Sequence, residues 1–221
     1  MNLTEAILPS WVLWLSALSL VALLGRAAWG ARWSQLREGS FIHVYLGSCV
    51  ALLVLWTLKA GVDPGLSFHL LGGTLFGLMF GWELAVVAMT LVSLGATLNM
   101  GHGWSVFPVN VLVEGAVPVL VTVGLLRLSQ GWLPRHLFVY IFVNGFFGAA
   151  VSVLASSLAA AALLAVGQAY TFSHLESGYL AFVPLVMFSE AWLTGMLVAV
   201  LVCYRPDWIR TFDDKLYLQG K

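Results

Sequence analysis

Charge is what this chain has least of. Only 9% of its 221 residues are Asp, Glu, Lys or Arg, and ten basic side chains balance ten acidic ones. That balance leaves no basic face for nucleic acid and no acidic tail for a basic partner. Cysteine is also scarce: Cys49 falls mid-run and Cys203 near the end of the last apolar run, at different expected depths, so neither a disulfide frame nor a thiolate metal motif is available. The chain has no Gly-x-x-x-x-Gly-Lys-Ser/Thr phosphate loop, no Gly-x-Ser-x-Gly elbow and no His-Glu-x-x-His helix. Nucleotide hydrolysis and the common hydrolases are therefore set aside, no enzyme is expected, and the energy for any active transport must come from another chain.

What fills the space is apolar. Hydrophobic residues make up 61% of the chain, against roughly 45 to 50% in a globular protein, which leaves too little polar surface to coat a soluble particle. The apolar runs are continuous rather than alternating, so they indicate helices and not a β-barrel. Spans are expected near residues 10–26, 41–58, 68–82, 83–99, 107–126, 137–166 and 179–203. The expectation is an all-α integral membrane protein, a single polytopic domain over 1–221 with about seven transmembrane helices. Spans three and four are short and Gly-rich, and Gly81 and Trp82 part them with hardly any loop, so half-helices or a tight hairpin are the readings there. Span six is long enough to tilt or to project from the bilayer. The first run has no Lys or Arg before it and no evident cleavage site after it, so it is expected to stay attached.

Positive charge orients the bundle. Arg26, Arg32 and Arg37 follow span one, Arg127 and Arg135 follow span five, and Arg205, Arg210, Lys215 and Lys221 follow span seven, leaving Lys59 for the other side. Lys and Arg mark the cytoplasmic side of short loops, so the N-terminus is expected outside and the C-terminal tail, 204–221, in the cytoplasm. The segment 1–9, His69 and His102 then share the external side and can converge, with His174 a weaker addition, while His43 and His136 belong to the opposite end. Neutral imidazole and a deprotonated α-amine are good ligands for Ni, Co, Cu or Zn. Taken singly, each histidine also has a plain reading as an interfacial hydrogen-bonding group.

Glycines 73, 77 and 81 recur every four residues, the spacing that lets a neighbouring backbone approach one helix face. Glu83, Glu114 and Glu190 lie in or beside apolar runs, where an exposed charge costs on the order of 3 kcal/mol or more, so each needs a partner or a proton. Glu83 reads as a solvated turn residue; Glu114 and Glu190 are deeper and can gate a path, relay protons or bridge helices. Asn110 and Asn144 are buried amides in need of hydrogen bonds, with helix linking the default for Asn144. Tryptophans toward the span ends read as interfacial anchors.

A set of short motifs resembles the substrate-binding membrane subunits of cobalt and nickel energy-coupling-factor (ECF) transporters, the CbiM and NikM group. The family opening Met-His-Ile-Met-Glu-Gly-(aromatic)-Leu-Pro is similar to Met1-Asn2-Leu3-Thr4-Glu5-Ala6-Ile7-Leu8-Pro9. Phe68-His69-Leu70 with Gly72 or Gly73 and Thr74 resembles Phe-His-Leu-x-Gly-Thr, and Gly81-Trp82 resembles a Gly-Pro-Trp turn. Gly101-His102-Gly103 and Asn110 resemble Gly-His-Gly and Gly-x-Asn, and Glu190 to Gly195 resembles Glu-x-x-x-Thr-Gly. The resemblance implies a seven-span, N-outside protein of the bacterial inner membrane. It also implies a metal held by the N-terminal amine, the backbone nitrogen and imidazole of residue 2, and the histidine matching His69. Here residue 2 is Asn2, which has no imidazole. His102 or Glu5 are the candidates to replace it, or the metal is one content with a different donor set. The candidate metal residues are thus Met1, Asn2, His69 and His102, with Glu5 weaker.

The function expected from this is capture of a divalent transition metal at the external face, Ni or Co by resemblance with Cu or Zn also possible. Inward passage would require a membrane coupling subunit and cytoplasmic ATPases, docking near the tail. A non-transporting membrane metalloprotein and a structural subunit of a membrane complex are the alternatives.

Overall fold

A chain this apolar must satisfy its backbone within each segment, and helices do so without help from water. The computed structural model describes residues 8–58, 60–63, 66–100, 103–167, 170–213 and 217. Five helices are long and apolar enough to cross a membrane, and a sixth, shorter apolar helix joins them. They are α1 (Ser10–Gly30), α2 (Phe41–Thr57), α3 (Gly73–Met100), α4 (Phe107–Trp132), α5 (Leu137–Val166) and α6 (Leu175–Tyr204). One element departs from the all-α expectation: β1 (Ala60–Asp63) pairs antiparallel with β2 (Leu66–Phe68), and the ribbon leads directly to His69.

Expected spans three and four, read as half-helices or a tight hairpin, occupy the one element α3. Gly81 interrupts the helix with φ 77° and ψ 168°. A Cβ at Gly73 would lie 2.8 Å from Pro118, and one at Gly77 would lie 3.5 Å from Thr122, so the first part of α3 runs parallel to α4. In a straight helix Met89 would then sit about 24 Å further along. Instead Met89 packs on Gly115, before Pro118. The chain therefore reverses at Gly81: Gly73–Phe80 is a half-helix about 12 Å long, too short for a bilayer core of about 30 Å, and the following residues return along α4. The half-helix reading holds. Gly73 and Gly77 serve close packing as their spacing suggested, whereas Gly81 supplies a backbone conformation that essentially only glycine adopts.

The half-helix ends with orphan carbonyls, as every helix C-terminus does. The C-terminal segment meets them: the Arg210 N–H donates to the Met79 carbonyl at 3.0 Å, and the Thr211 N–H and hydroxyl donate to the Leu78 carbonyl at 3.3 and 2.7 Å. Ile209, Phe212 and Tyr217 are buried in the core below. The described part of the tail is thus packed against the bundle rather than wholly solvated.

Hydroxyls tie the interior together. Thr122 of α4 has its oxygen 2.8 Å from Thr74 Oγ1 of the half-helix and 3.0 Å from Ser152 Oγ of α5. Ser129 donates to Asn144 Oδ1 at 2.8 Å, so Asn144 links α4 and α5 as expected. Most tryptophans at helix ends, including Trp11, Trp29, Trp104 and Trp132, are exposed, as interfacial anchoring requires. Cys49 and Cys203 are both free.

Candidate metal site

His69 lies in the connection between β2 and the half-helix, and three features fix it there. Glu190 of α6 accepts from the Leu71 N–H through Oε2 at 2.8 Å and from the Gly72 N–H through Oε1 at 2.6 Å. One buried carboxylate thereby clamps two backbone donors close after the histidine. Gly72 takes φ 72°, and a Cβ there would fall 2.6 Å from Leu52 Cδ1 of α2, so the turn requires glycine for both conformation and space. Trp56, near the end of α2, packs its ring against the imidazole with centroids 4.6 Å apart.

The imidazole faces Glu114. His69 Nε2 lies 3.6 Å from Glu114 Oε2, and each side chain is only 1% exposed. On its other side, His69 Nδ1 lies 3.2 Å from the Leu70 carbonyl. Glu114 occupies a π-helical segment of α4, Val111–Ala116, just before Pro118. The proline lacks an N–H, so the carbonyl five residues back, Val113, loses its helical donor. The Ser156 hydroxyl of α5 donates to it at 2.6 Å. The irregularity that places Glu114 is therefore stabilised by a neighbouring helix. Asn110, one turn earlier on the same helix, is also buried. Phe68 stacks on Tyr179 at 4.9 Å, closing the side nearest the ribbon.

Of the expected site residues, His69 is buried within the bundle. Met1, Asn2, Glu5 and His102 lie outside the described residues. His174 is exposed and stacked on Tyr170. His136 caps the start of α5, its Nδ1 accepting from the Phe138 N–H at 3.2 Å. Among the described residues no three His, Cys, Asp or Glu side chains gather closely enough to hold a metal ion, so the pair of His69 and Glu114 supplies at most part of a coordination set. Glu114 was legible only as a costly buried carboxylate; nothing in the sequence pairs it with His69.

These features define a multi-pass helical membrane protein with a buried imidazole and carboxylate toward one end of the bundle. Its fold is similar to that of a crystal structure of a transition metal transporter, with a TM-score of 0.76 and 18% identity over 92% of this chain and 93% of that one. It is equally similar to a truncated transition metal transporter, with a TM-score of 0.77 and 18% identity over 92% of this chain and 99% of that one. No curated protein matches the chain in sequence. Residues 2–208 match the model of the CbiM family, the cobalt uptake substrate-specific transmembrane region, and the chain belongs to that family. It is accordingly a membrane component of transition-metal uptake.

Proposed function

We propose that this chain is the substrate-binding membrane component of an ECF-type transporter for a divalent transition metal, nickel or cobalt. It would take its cargo at the external face and work with a membrane coupling subunit and cytoplasmic ATPases. The observation that carries the reading is the buried His69, held by the Glu190 clamp and facing Glu114, in a chain of the cobalt-uptake family. The N-terminal amine, the backbone nitrogen of Asn2, and His102 or Glu5 are the proposed further donors, by the resemblance of the opening segment. The arginine-bearing end is assigned to the cytoplasm by its charge. There the half-helix turn, Glu83 and Arg210 line a polar pocket of about 200 Å³.

The test is metal content. The chain, purified in detergent with its native N-terminus, is loaded with Ni²⁺, Co²⁺ or Zn²⁺ in turn and assayed by elemental mass spectrometry beside His69→Ala. Roughly one metal per chain, lost in the variant, is the expected result. No metal in either protein overturns the reading.

A further inference from the structure

Independently of the metal site, we infer that the polar pocket at the arginine-bearing end holds the headgroup of a phospholipid that carries a primary amine: Arg32 takes the phosphate and Glu83 the ammonium.

The first ground is a pair of opposite charges left for a ligand. The pocket, of about 200 Å³, is lined by Gly30, Arg32, Gln35, Glu83, Arg210 and Thr211, so the α1–α2 connection, the turn after the half-helix and the tail all reach it. Arg210 is already committed: it donates to Glu38 at 2.9 Å and lies over the Phe41 ring at 4.3 Å. Thr211 is spent on the Leu78 carbonyl. Among the described residues, the side chains of Arg32 and Glu83 form no ion pair or hydrogen bond. Arg26 Nη1 and Glu83 Oε1 lie 2.8 and 3.3 Å from the point a Gly30 Cβ would occupy, so glycine there leaves both charged groups uncovered. A guanidinium matches phosphate oxygens with parallel N–H donors, and a carboxylate accepts from the N–H groups of a primary ammonium. A headgroup with both charges satisfies both residues and leaves neither over.

The second ground is depth. Trp29 and Trp33, on either side of Gly30, are 92% and 44% exposed, and the Arg26 guanidinium stands 5.6 Å from the centre of the Trp82 ring. Tryptophans at span ends sit at the level of the lipid headgroups, which puts the pocket at phosphate depth. Helix α1 leads to it. Only 22% of its apolar stretch is buried within the bundle, and Leu15, Leu18 and Val21 are exposed, so acyl chains have a surface to follow toward Gly30. The third ground is size. Sites that bury drug-sized ligands measure about 300 to 1,000 Å³, so a pocket of about 200 Å³ is too small for a nucleotide and suits a headgroup. A lipid held there ties Arg32, before α2, to Glu83, just past the chain reversal, and braces the turn of the half-helix.

The experiment uses the delipidated full chain in detergent: wild type, Arg32→Gln and Glu83→Gln. Each is titrated with phosphatidylethanolamine, phosphatidylcholine or phosphatidylglycerol, and separately with inorganic phosphate, and followed by thermal unfolding and native mass spectrometry. At about 100 times its Kd, phosphatidylethanolamine should raise wild-type melting by about 5 to 10 °C. Phosphatidylcholine, whose quaternary ammonium has no N–H, and phosphatidylglycerol, which has no cation, should bind about 10-fold more weakly or worse. Arg32→Gln should weaken all three lipids by about 10-fold or more, whereas Glu83→Gln should weaken phosphatidylethanolamine alone and remove its advantage. Equal binding of the three lipids by wild type, or a phosphatidylethanolamine preference that survives in Glu83→Gln, overturns the inference and leaves the uptake function standing. Inorganic phosphate that stabilises wild type as well as the lipid does would show a free-anion site and overturn it too. Should the variants not fold, the ranking of the three lipids by wild type alone decides.

Discussion

Removing the Glu190 carboxylate should both loosen the fold and misplace His69, and the two effects can be sized separately. In Glu190→Ala the N–H groups of Leu71 and Gly72 lose their acceptors. A buried donor left unsatisfied costs about 1 to 3 kcal/mol, so the pair costs about 2 to 6 kcal/mol. Hydrogen bonds between side chains in membrane bundles average nearer 0.6 kcal/mol, because the separated helices find other partners. The larger figure applies here, since these donors belong to a non-helical turn. At about 2 to 4 °C per kcal/mol for a chain of this size, melting in detergent should fall by at least about 4 °C. Glu190→Gln keeps one acceptor and should show roughly half the loss.

The second effect reaches the metal. Leu71 is two residues from His69, so loss of the clamp frees the imidazole from its fixed approach to Glu114. Partners that only orient a ligand typically contribute 10- to 100-fold to metal affinity, and Glu190→Ala should weaken Co²⁺ binding within that range. Equilibrium dialysis of the folded fraction measures it. A variant that melts and binds like wild type would refute the clamp. A variant that melts early yet binds normally would show that Gly72 and Trp56 alone hold the histidine in place.

Other substitutions test the surrounding framework. Gly72→Ala places a methyl group 2.6 Å from Leu52 Cδ1 at a positive φ, and overpacking alone should cost about 1 to 3 kcal/mol in melting experiments. Gly81→Ala meets nothing nearer than Glu83 Oε2 at 3.8 Å, so its cost should be conformational only, about 1 to 3 kcal/mol; no loss of stability would deny the chain reversal. Thr211→Val removes the hydroxyl donor to the Leu78 carbonyl and should lower stability by about 1 kcal/mol, measured by thermal unfolding in detergent. Metal loading should quench the emission of Trp56, whose ring lies 4.6 Å from the imidazole. That quenching should vanish in Trp56→Phe and leave the other nine tryptophans unaffected.

The helices were legible because the apolar runs are long and a bilayer admits little else. Gly81-Trp82 was legible as a break, since no loop could fit between the two short runs. What could not be read was which of half-helices or a tight hairpin the break makes: φ 77° is a fact of backbone conformation, and glycine permits it without announcing it. The β1–β2 ribbon was absorbed into apolar flanks for the same reason, its strands being only four and three residues long. The tail offered charge and aromatics, which suit solvent as well as core. Its use as a cap for Leu78 and Met79 depends on where the half-helix ends.

Glu114 shows why a site can stay hidden when its residues are in plain view. Facing in a helix is inferred from a period of 3.6 residues, and each residue inserted by a π turn rotates every later side chain by about 100°. Val111–Ala116 is such a segment, so no count from Trp132 back along α4 places Glu114 correctly. Burial cost identified the carboxylate as needing a partner, and the charge bias put His69 at the external start of a span. Joining the two required the loop geometry set by Gly72 and Glu190, contacts spanning more than 100 residues of chain. One substitution isolates the contribution of the π turn. Pro118→Ala restores an N–H that a regular α-helix bonds to the Glu114 carbonyl, leaving the Val117 N–H to serve the Val113 carbonyl to which Ser156 now donates. It should let α4 regularise, rotate Glu114 away from His69, and weaken Co²⁺ binding by about 10-fold or more with little loss of stability. Unchanged affinity in that variant would show that Ser156 and Gly115 hold the segment without the proline.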